Sequence, residues 1–102
     1  MKRGEVWWFE HPDRKRRPAC VLTRSEAIPA LSSLLVVEAR SRARGIPTEV
    51  RLDESDGMPI PCVLALDAAS SVRKALLTEF IAELPERRML EVCRALQFAT
   101  GC

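Results

Sequence analysis

The chain has 102 residues, of which 47% are hydrophobic and 29% are charged. A chain of this length forms one core, so we expect a single domain over residues 1–102 without separate catalytic and regulatory parts. No apolar run approaches a membrane span, and the start of the chain lacks a signal peptide pattern, so we expect a cytoplasmic protein without membrane contact. The net charge of +2 does not by itself indicate a nucleic-acid partner, and only local clusters of Lys and Arg can do so.

The four cysteines are widely separated, with no C-x-x-C motif and no paired histidines to complete a zinc site. We therefore predict no metal and no cofactor. Cys20, Cys62 and Cys93 lie among apolar residues and are expected to be buried thiols in a reducing compartment, whereas Cys102 is expected to be exposed. His11 is the only histidine, and nothing in the sequence places it beside a thiol, so a catalytic cysteine is disfavoured.

A basic hairpin is predicted near the N-terminus. Residues 5–9 are β-branched and aromatic and predict a strand, and residues 19–23 predict a second strand after a basic loop. Pro18 biases Arg17 toward an extended backbone, which restricts the direction of this arginine at the start of the strand. Planar guanidinium groups bind phosphates bidentately, so the hairpin tip suits a nucleic-acid backbone or a charged transition state. A polar loop that leads into a core strand is the alternative interpretation.

A second basic segment follows a predicted central strand at residues 34–37. If the chain stays extended, Arg40, Arg42 and Arg44 point to one face and can follow a phosphate backbone. A solvated charge run in a loop is the ordinary alternative for such a segment.

The remaining pattern predicts further short strands and one helix. Three strands are expected at residues 48–52, 62–66 and 78–84, with a short helix or turn at residues 68–77. Alternation within the first of these directs Glu49 and Arg51 toward solvent. Pro85 suits the first turn of a helix, and the apolar residues after it recur at helical spacing until Gly101. Short strands closed by one helix predict a mainly β fold, as a compact antiparallel barrel or a strongly curled sheet.

The order of these features resembles the MazF/PemK/Kid family of bacterial toxins. The resemblance covers nearly the whole chain and rests on residues 3–7, 17–23 and 45–50. It implies an SH3-like antiparallel barrel of the MazF/CcdB type with a C-terminal helix. It also implies a homodimer that cleaves single-stranded RNA without a metal. As the toxin of a type II toxin–antitoxin system, this homodimer is expected to be neutralised by a cognate MazE-like antitoxin.

The resemblance also assigns candidate site residues. Arg17 matches the arginine that precedes the second-strand proline in the family, which is implied to be catalytic. The family threonine after the third strand is replaced by Arg40, and Ser41 follows it, so these two residues and His11 are expected to assist catalysis. Five further cations are predicted to bind RNA: Arg14, Lys15, Arg16, Arg42 and Arg44.

Two other functions remain open at this point. The replaced threonine favours a non-catalytic protein that binds RNA or an antitoxin. A further departure is the Asp67-Ala68 pair, where the family often has aspartate and glutamine that contact RNA. A protein-binding poison like the CcdB gyrase inhibitors is the third possibility, although residues 99–102 lack the aromatic ending of those inhibitors.

Overall fold

The computed structural model describes all 102 residues and contains seven strands and one α-helix. The elements are β1 (Glu5–Phe9), β2 (Arg17–Val21), β3 (Ser33–Arg40), β4 (Glu49–Leu52), β5 (Cys62–Ala65), β6 (Ser70–Arg73), β7 (Leu77–Glu83) and α1 (Glu86–Thr100). Short 3₁₀ helices connect them at Ser25–Ala30, Glu54–Asp56, Leu66–Ala68 and Lys74–Leu76. None of the helices combines the length and the apolar character needed to cross a membrane.

All strand pairs are antiparallel, and the strands follow the order β4-β5-β3-β2-β1-β7. Strand β3 shares one edge between two partners, because β6 pairs with residues Ser33–Val36 and β5 pairs with Ala39 and Arg40. This division lets the sheet curl around a core while β4 and β7, at its two ends, stay unpaired with each other. The predicted antiparallel β fold with a C-terminal helix is confirmed, in an unclosed and strongly curled form.

Two groups of buried apolar residues cover the two faces of the sheet. The larger group has 15 buried residues, among them Val6 and Leu64, and helix α1 closes it with Val92. The smaller group has 7 buried residues and includes Phe9 and Val36. Neighbouring residues of one strand alternate between these groups, as a pleated strand with both faces covered requires.

A buried ion pair ties helix α1 to the loop before β5. The Asp56 carboxylate has 0% exposure and accepts a hydrogen bond from Arg88 Nε at 3.0 Å, and also from the backbone N–H of Asp53 at 3.0 Å. Gly57 follows with φ of +91°, where a side chain would be strained. The start of α1 therefore fixes the segment that leads into the buried Met58.

Three expectations for local structure were wrong. Residues 68–77 were expected to form a short helix or turn, but they contain strand β6, whose serines gave no strand signal. The Glu49 side chain does not face solvent; it is 5% exposed. Strand β3 extends to Arg40 and a loop follows, so Arg42 and Arg44 do not continue one extended face.

Candidate active site

A groove of about 920 Å³ opens between the β1–β2 hairpin, the end of β3 and the segment before β5. One part of its wall is cationic and is formed by Lys15, Arg16, Arg17, Arg40, Arg42 and Arg44. The other part is flat or apolar and includes Trp8, Pro18, Met58, Pro59 and Ile60. Seven of the predicted site residues, the six cations and Ser41, therefore share one groove although they come from two separate segments of the chain.

The six cations differ in whether a carboxylate already neutralises them. Arg16 Nη1 lies 3.5 Å from Glu10 Oε2 and 3.4 Å from Glu79 Oε1. Arg44 Nη2 lies 3.5 Å from Asp67 Oδ2, and its Nε lies 3.7 Å from a carboxylate oxygen of the next strand. These two arginines offer little net charge to an anion.

The other four cations have no carboxylate oxygen within 4.0 Å: Lys15, Arg17, Arg40 and Arg42. Ala19 lies opposite Glu38 in the β2–β3 ladder, and this antiparallel register, extended by two residues, sets Arg17 across from Arg40. Cα atoms of directly opposed residues are about 5 Å apart in such a ladder. Both guanidinium groups lack a carboxylate partner, so a phosphate bound between them would meet two uncompensated positive charges.

Glu49 holds the arginine-rich loop between β3 and β4. Its carboxylate accepts hydrogen bonds from the backbone N–H groups of Arg44, at 2.9 and 3.0 Å, and Gly45, at 2.8 Å. Removal from water opposes ionisation of Glu49. This effect is outweighed by hydrogen bonds from the backbone N–H groups of residues 44–46 and by the charge of Arg44, so the pKa of the Glu49 carboxyl is lowered. The loop that presents Ser41 and Arg42 to the groove is thus anchored at its far end.

His11 and Arg14 do not line this groove. They lie in a second, smaller cavity of about 310 Å³ on another part of the surface. Arg14 Nη2 donates to Glu38 Oε2 at 2.8 Å, and Nη1 lies 2.8 Å from the other carboxylate oxygen, an arrangement that raises the pKa of Arg14. His11 Nδ1 accepts a hydrogen bond from the backbone N–H of Asp13 at 3.0 Å, which leaves Nε2 to carry the proton of a neutral imidazole. The structure therefore separates these two residues from the other predicted site residues.

The cysteine thiols are not arranged for nucleophilic chemistry. Cys62 borders the groove, but burial first and the charge of Asp56 second raise its pKa to about 11, so its thiol stays protonated at neutral pH. Burial likewise raises the pKa of Cys20 to about 12. Cys93 is half-buried and accepts a hydrogen bond from Arg3 Nη2 at 3.0 Å. All four cysteines are free.

Sequence reasoning missed two contributions to the groove. The sequence predicts Trp8 in a strand and gives it no part in an RNA site, although alternation places it and Trp7 on opposite faces. The segment from Met58 to Ile60 has no place in the site predicted from the sequence, because only the fold brings it to the groove. The signal in the sequence is an isoleucine between two prolines, and the structure leaves Ile60 58% exposed.

Together, the fold and the groove define a small, helix-capped and curled β-sheet protein with a cleft lined by cationic side chains. Residues 2–100 match the family described as PemK-like, MazF-like toxin of type II toxin-antitoxin system. The chain belongs to this family, which confirms the family predicted from its sequence.

Individual relatives agree with this assignment. The chain is 41% identical over 101 residues to the probable endoribonuclease MazF5 of Mycobacterium tuberculosis, covering 98% of this chain and 93% of that protein. The structure of the Mycobacterium tuberculosis toxin MazF-mt6 is similar with a TM-score of 0.87 and 25% identity, over 95% of this chain and 96% of that one. The toxin chain matched in a MazE–MazF structure from Deinococcus radiodurans has a TM-score of 0.85 and 27% identity, over 99% and 95% of the two chains.

Proposed function

We propose that this protein is an endoribonuclease toxin of a type II toxin–antitoxin system that cleaves single-stranded RNA without a metal ion. The observation that carries the proposal is the pair of unneutralised guanidinium groups, Arg17 and Arg40, set across two neighbouring strands at one groove wall. The 41% identity to a probable endoribonuclease over nearly the whole chain supports the same activity.

The groove supplies the charge stabilisation that RNA cleavage needs. The 2′-hydroxyl oxygen of the ribose attacks the adjacent phosphorus and loses its proton, while the bond from phosphorus to the 5′-oxygen breaks and that oxygen gains a proton. The products are a 2′,3′-cyclic phosphate and a 5′-hydroxyl. Arg17 and Arg40 stabilise the negative charge that develops on the non-bridging oxygens, and the Ser41 hydroxyl donates to one of them.

The groove wall contains no imidazole or carboxylate that could act as the acid or the base in these proton transfers. We therefore infer that water in the open groove accepts the proton of the 2′-hydroxyl and returns one to the leaving oxygen. Since His11 lies in the other cavity, we expect His11→Ala to retain most of the cleavage activity. This feature of the wall also favours the second candidate function, in which the protein binds RNA or an antitoxin without cleaving.

The test is cleavage of a mixed-sequence RNA in the presence of EDTA, with the product ends identified. We expect cyclic phosphate ends from the wild type and a loss of roughly 10²- to 10³-fold in rate for Arg17→Ala, as for removal of one donor to a developing oxyanion. Arg94→Ala, an exposed position on α1 that does not line the groove, removes the same charge and is the matched control. Intact RNA with salt-sensitive binding to the groove would instead establish the binding protein.

We also infer the partners and the location from family membership. The MazE–MazF structure from Deinococcus radiodurans supports a MazE-like antitoxin as partner, and the family resemblance implies a homodimer. Four free thiols fit the cytoplasm, where thiols stay reduced. Light scattering of the purified toxin tests the dimer, and co-purification with the product of a neighbouring gene tests the antitoxin.

A further inference from the structure

Arg16 lies over the ring of Trp8 in the groove, with its guanidinium carbon 4.1 Å from the ring centre. Glu10 and Glu79 both approach its Nη1 atom, so the guanidinium is anchored and its charge is already compensated. The Arg16 side chain is still 45% exposed. A compensated arginine has little to offer a phosphate, but its planar surface can still stack on a flat ligand.

The groove also carries apolar surface that the fold does not bury. Ile60 is 58% exposed, and it lines the groove together with Pro59 and Pro18. Flat and apolar surface thus adjoins the free cations Arg17 and Arg40 in one groove. A single-stranded nucleic acid has the matching composition, since each nucleotide joins a phosphate to a base with a planar, weakly polar face.

We propose that Trp8 and Arg16 form a nucleobase subsite, in which one unpaired base stacks on the Arg16 guanidinium while the adjacent phosphate lies between Arg17 and Arg40. This inference rests on the proposed function in that RNA occupies the groove, and it adds a physical reason for the requirement for a single strand. In a duplex both faces of a base are covered by its stacked neighbours, so no face is free for the guanidinium.

Trp7 provides a matched control for Trp8. It is the adjacent residue, but its ring meets Phe80 edge to face, with ring centres 5.9 Å apart, and its Nε1 donates to Glu5 at 2.9 Å. Trp7 packs against the smaller apolar group on the other face of the sheet and does not line the groove. The chain has only two tryptophans, so each single substitution leaves one fluorescent reporter at a known place.

The first test titrates the Trp7→Phe and Trp8→Phe variants with a mixed-sequence single-stranded oligodeoxynucleotide, which lacks the 2′-hydroxyl and cannot be cleaved. We expect the probe to quench the fluorescence of Trp7→Phe, in which Trp8 is the reporter, and to leave that of Trp8→Phe nearly unchanged. An unquenched Trp8 at a probe concentration that saturates binding would overturn the inference. So would quenching of Trp7 alone.

The second test separates stacking from charge by comparing Arg16→Lys with Arg16→Ala. Lysine keeps the charge but has no planar surface, so a stacking role predicts that both variants lose roughly five- to hundredfold in affinity for the oligodeoxynucleotide. Both should keep the wild-type slope of log affinity against log salt. A phosphate ligand would behave differently, because lysine would restore binding and alanine would lower the magnitude of the slope by about 0.7. That pattern contradicts the subsite.

These measurements remain distinct from the test of RNA cleavage, because the probe is not a substrate. Quenching of Trp8 and loss of affinity in Arg16→Lys support the subsite even if the protein cleaves no RNA. Conversely, RNA cleavage that is unchanged in Trp8→Ala and Arg16→Lys overturns the subsite and leaves the nuclease in place. Failure of the oligodeoxynucleotide to bind at low salt overturns the subsite as well.

Discussion

The division of the groove cations into free and compensated groups predicts how salt weakens the binding of a single strand. Four cations lack a carboxylate partner: Lys15, Arg17, Arg40 and Arg42. Each contact between a cation and a phosphate of a single strand contributes about −0.7 to the slope of log affinity against log salt, so the expected slope is about −2.8. A fourfold rise in salt should then weaken binding about 50-fold. For Arg17→Ala the slope should be about −2.1, and the same rise in salt should weaken binding about 20-fold.

Fluorescence anisotropy of a labelled oligodeoxynucleotide, short enough to occupy one groove, measures these slopes between about 50 and 200 mM salt, the range over which such effects are large. Arg14→Ala is the informative control, because Arg14 was predicted to bind RNA but is paired with Glu38 outside the groove. Its slope should match the wild type, as should that of Arg94→Ala. An equal fall in slope for Arg14→Ala and Arg17→Ala would refute the distinction between paired and free cations.

Four further predictions concern the groove and its supports. Glu49→Ala should loosen the loop and raise KM for RNA about tenfold while circular dichroism stays native, and Glu49→Gln, which keeps an acceptor, should restore part of the loss. Because the pKa of Glu49 is lowered, its carboxylate stabilises the fold at neutral pH, and this stabilisation is lost as acid protonates the carboxylate below about pH 4. The free energy of unfolding of Glu49→Gln, measured in urea, should therefore depend less on pH in this acidic range. Arg88→Ala leaves the buried Asp56 without its nearest cation and should lower the free energy of unfolding by about 3 kcal/mol in urea titrations. Arg40→Thr, which restores the residue typical of the family, should reduce the magnitude of the salt slope by about 0.7, and its kcat shows whether the extra guanidinium acts in the transition state or only in binding.

Local rules in the sequence predicted the elements of the groove but not its electrostatics. The proline after Arg17 predicted the place of this residue at the start of a strand, whereas the third strand was predicted at residues 34–37 and extends to Arg40. The partners of Arg14 and Arg16 lie 24 and 63 residues away, at Glu38 and Glu79, and only the folded sheet shows these contacts. The consecutive basic residues of this loop therefore look equivalent in the sequence. In the structure, carboxylates compensate the charges of Arg14 and Arg16 but not those of their neighbours.

The compensated and free arginines of the groove suit different tasks. A free guanidinium binds any phosphate strongly but is held only by its own backbone, so it contributes affinity without selecting a sequence. A guanidinium held by carboxylates from distant strands contributes little net attraction, but it has a fixed place: Arg16 lies on Trp8, and Arg44 lies at the end of the loop anchored by Glu49. Discrimination between bases requires a fixed surface, because a mobile side chain adapts to every ligand. In the proposed site, phosphate affinity thus comes from Arg17 and its free neighbours, and Arg16 offers a fixed surface on which a base can stack.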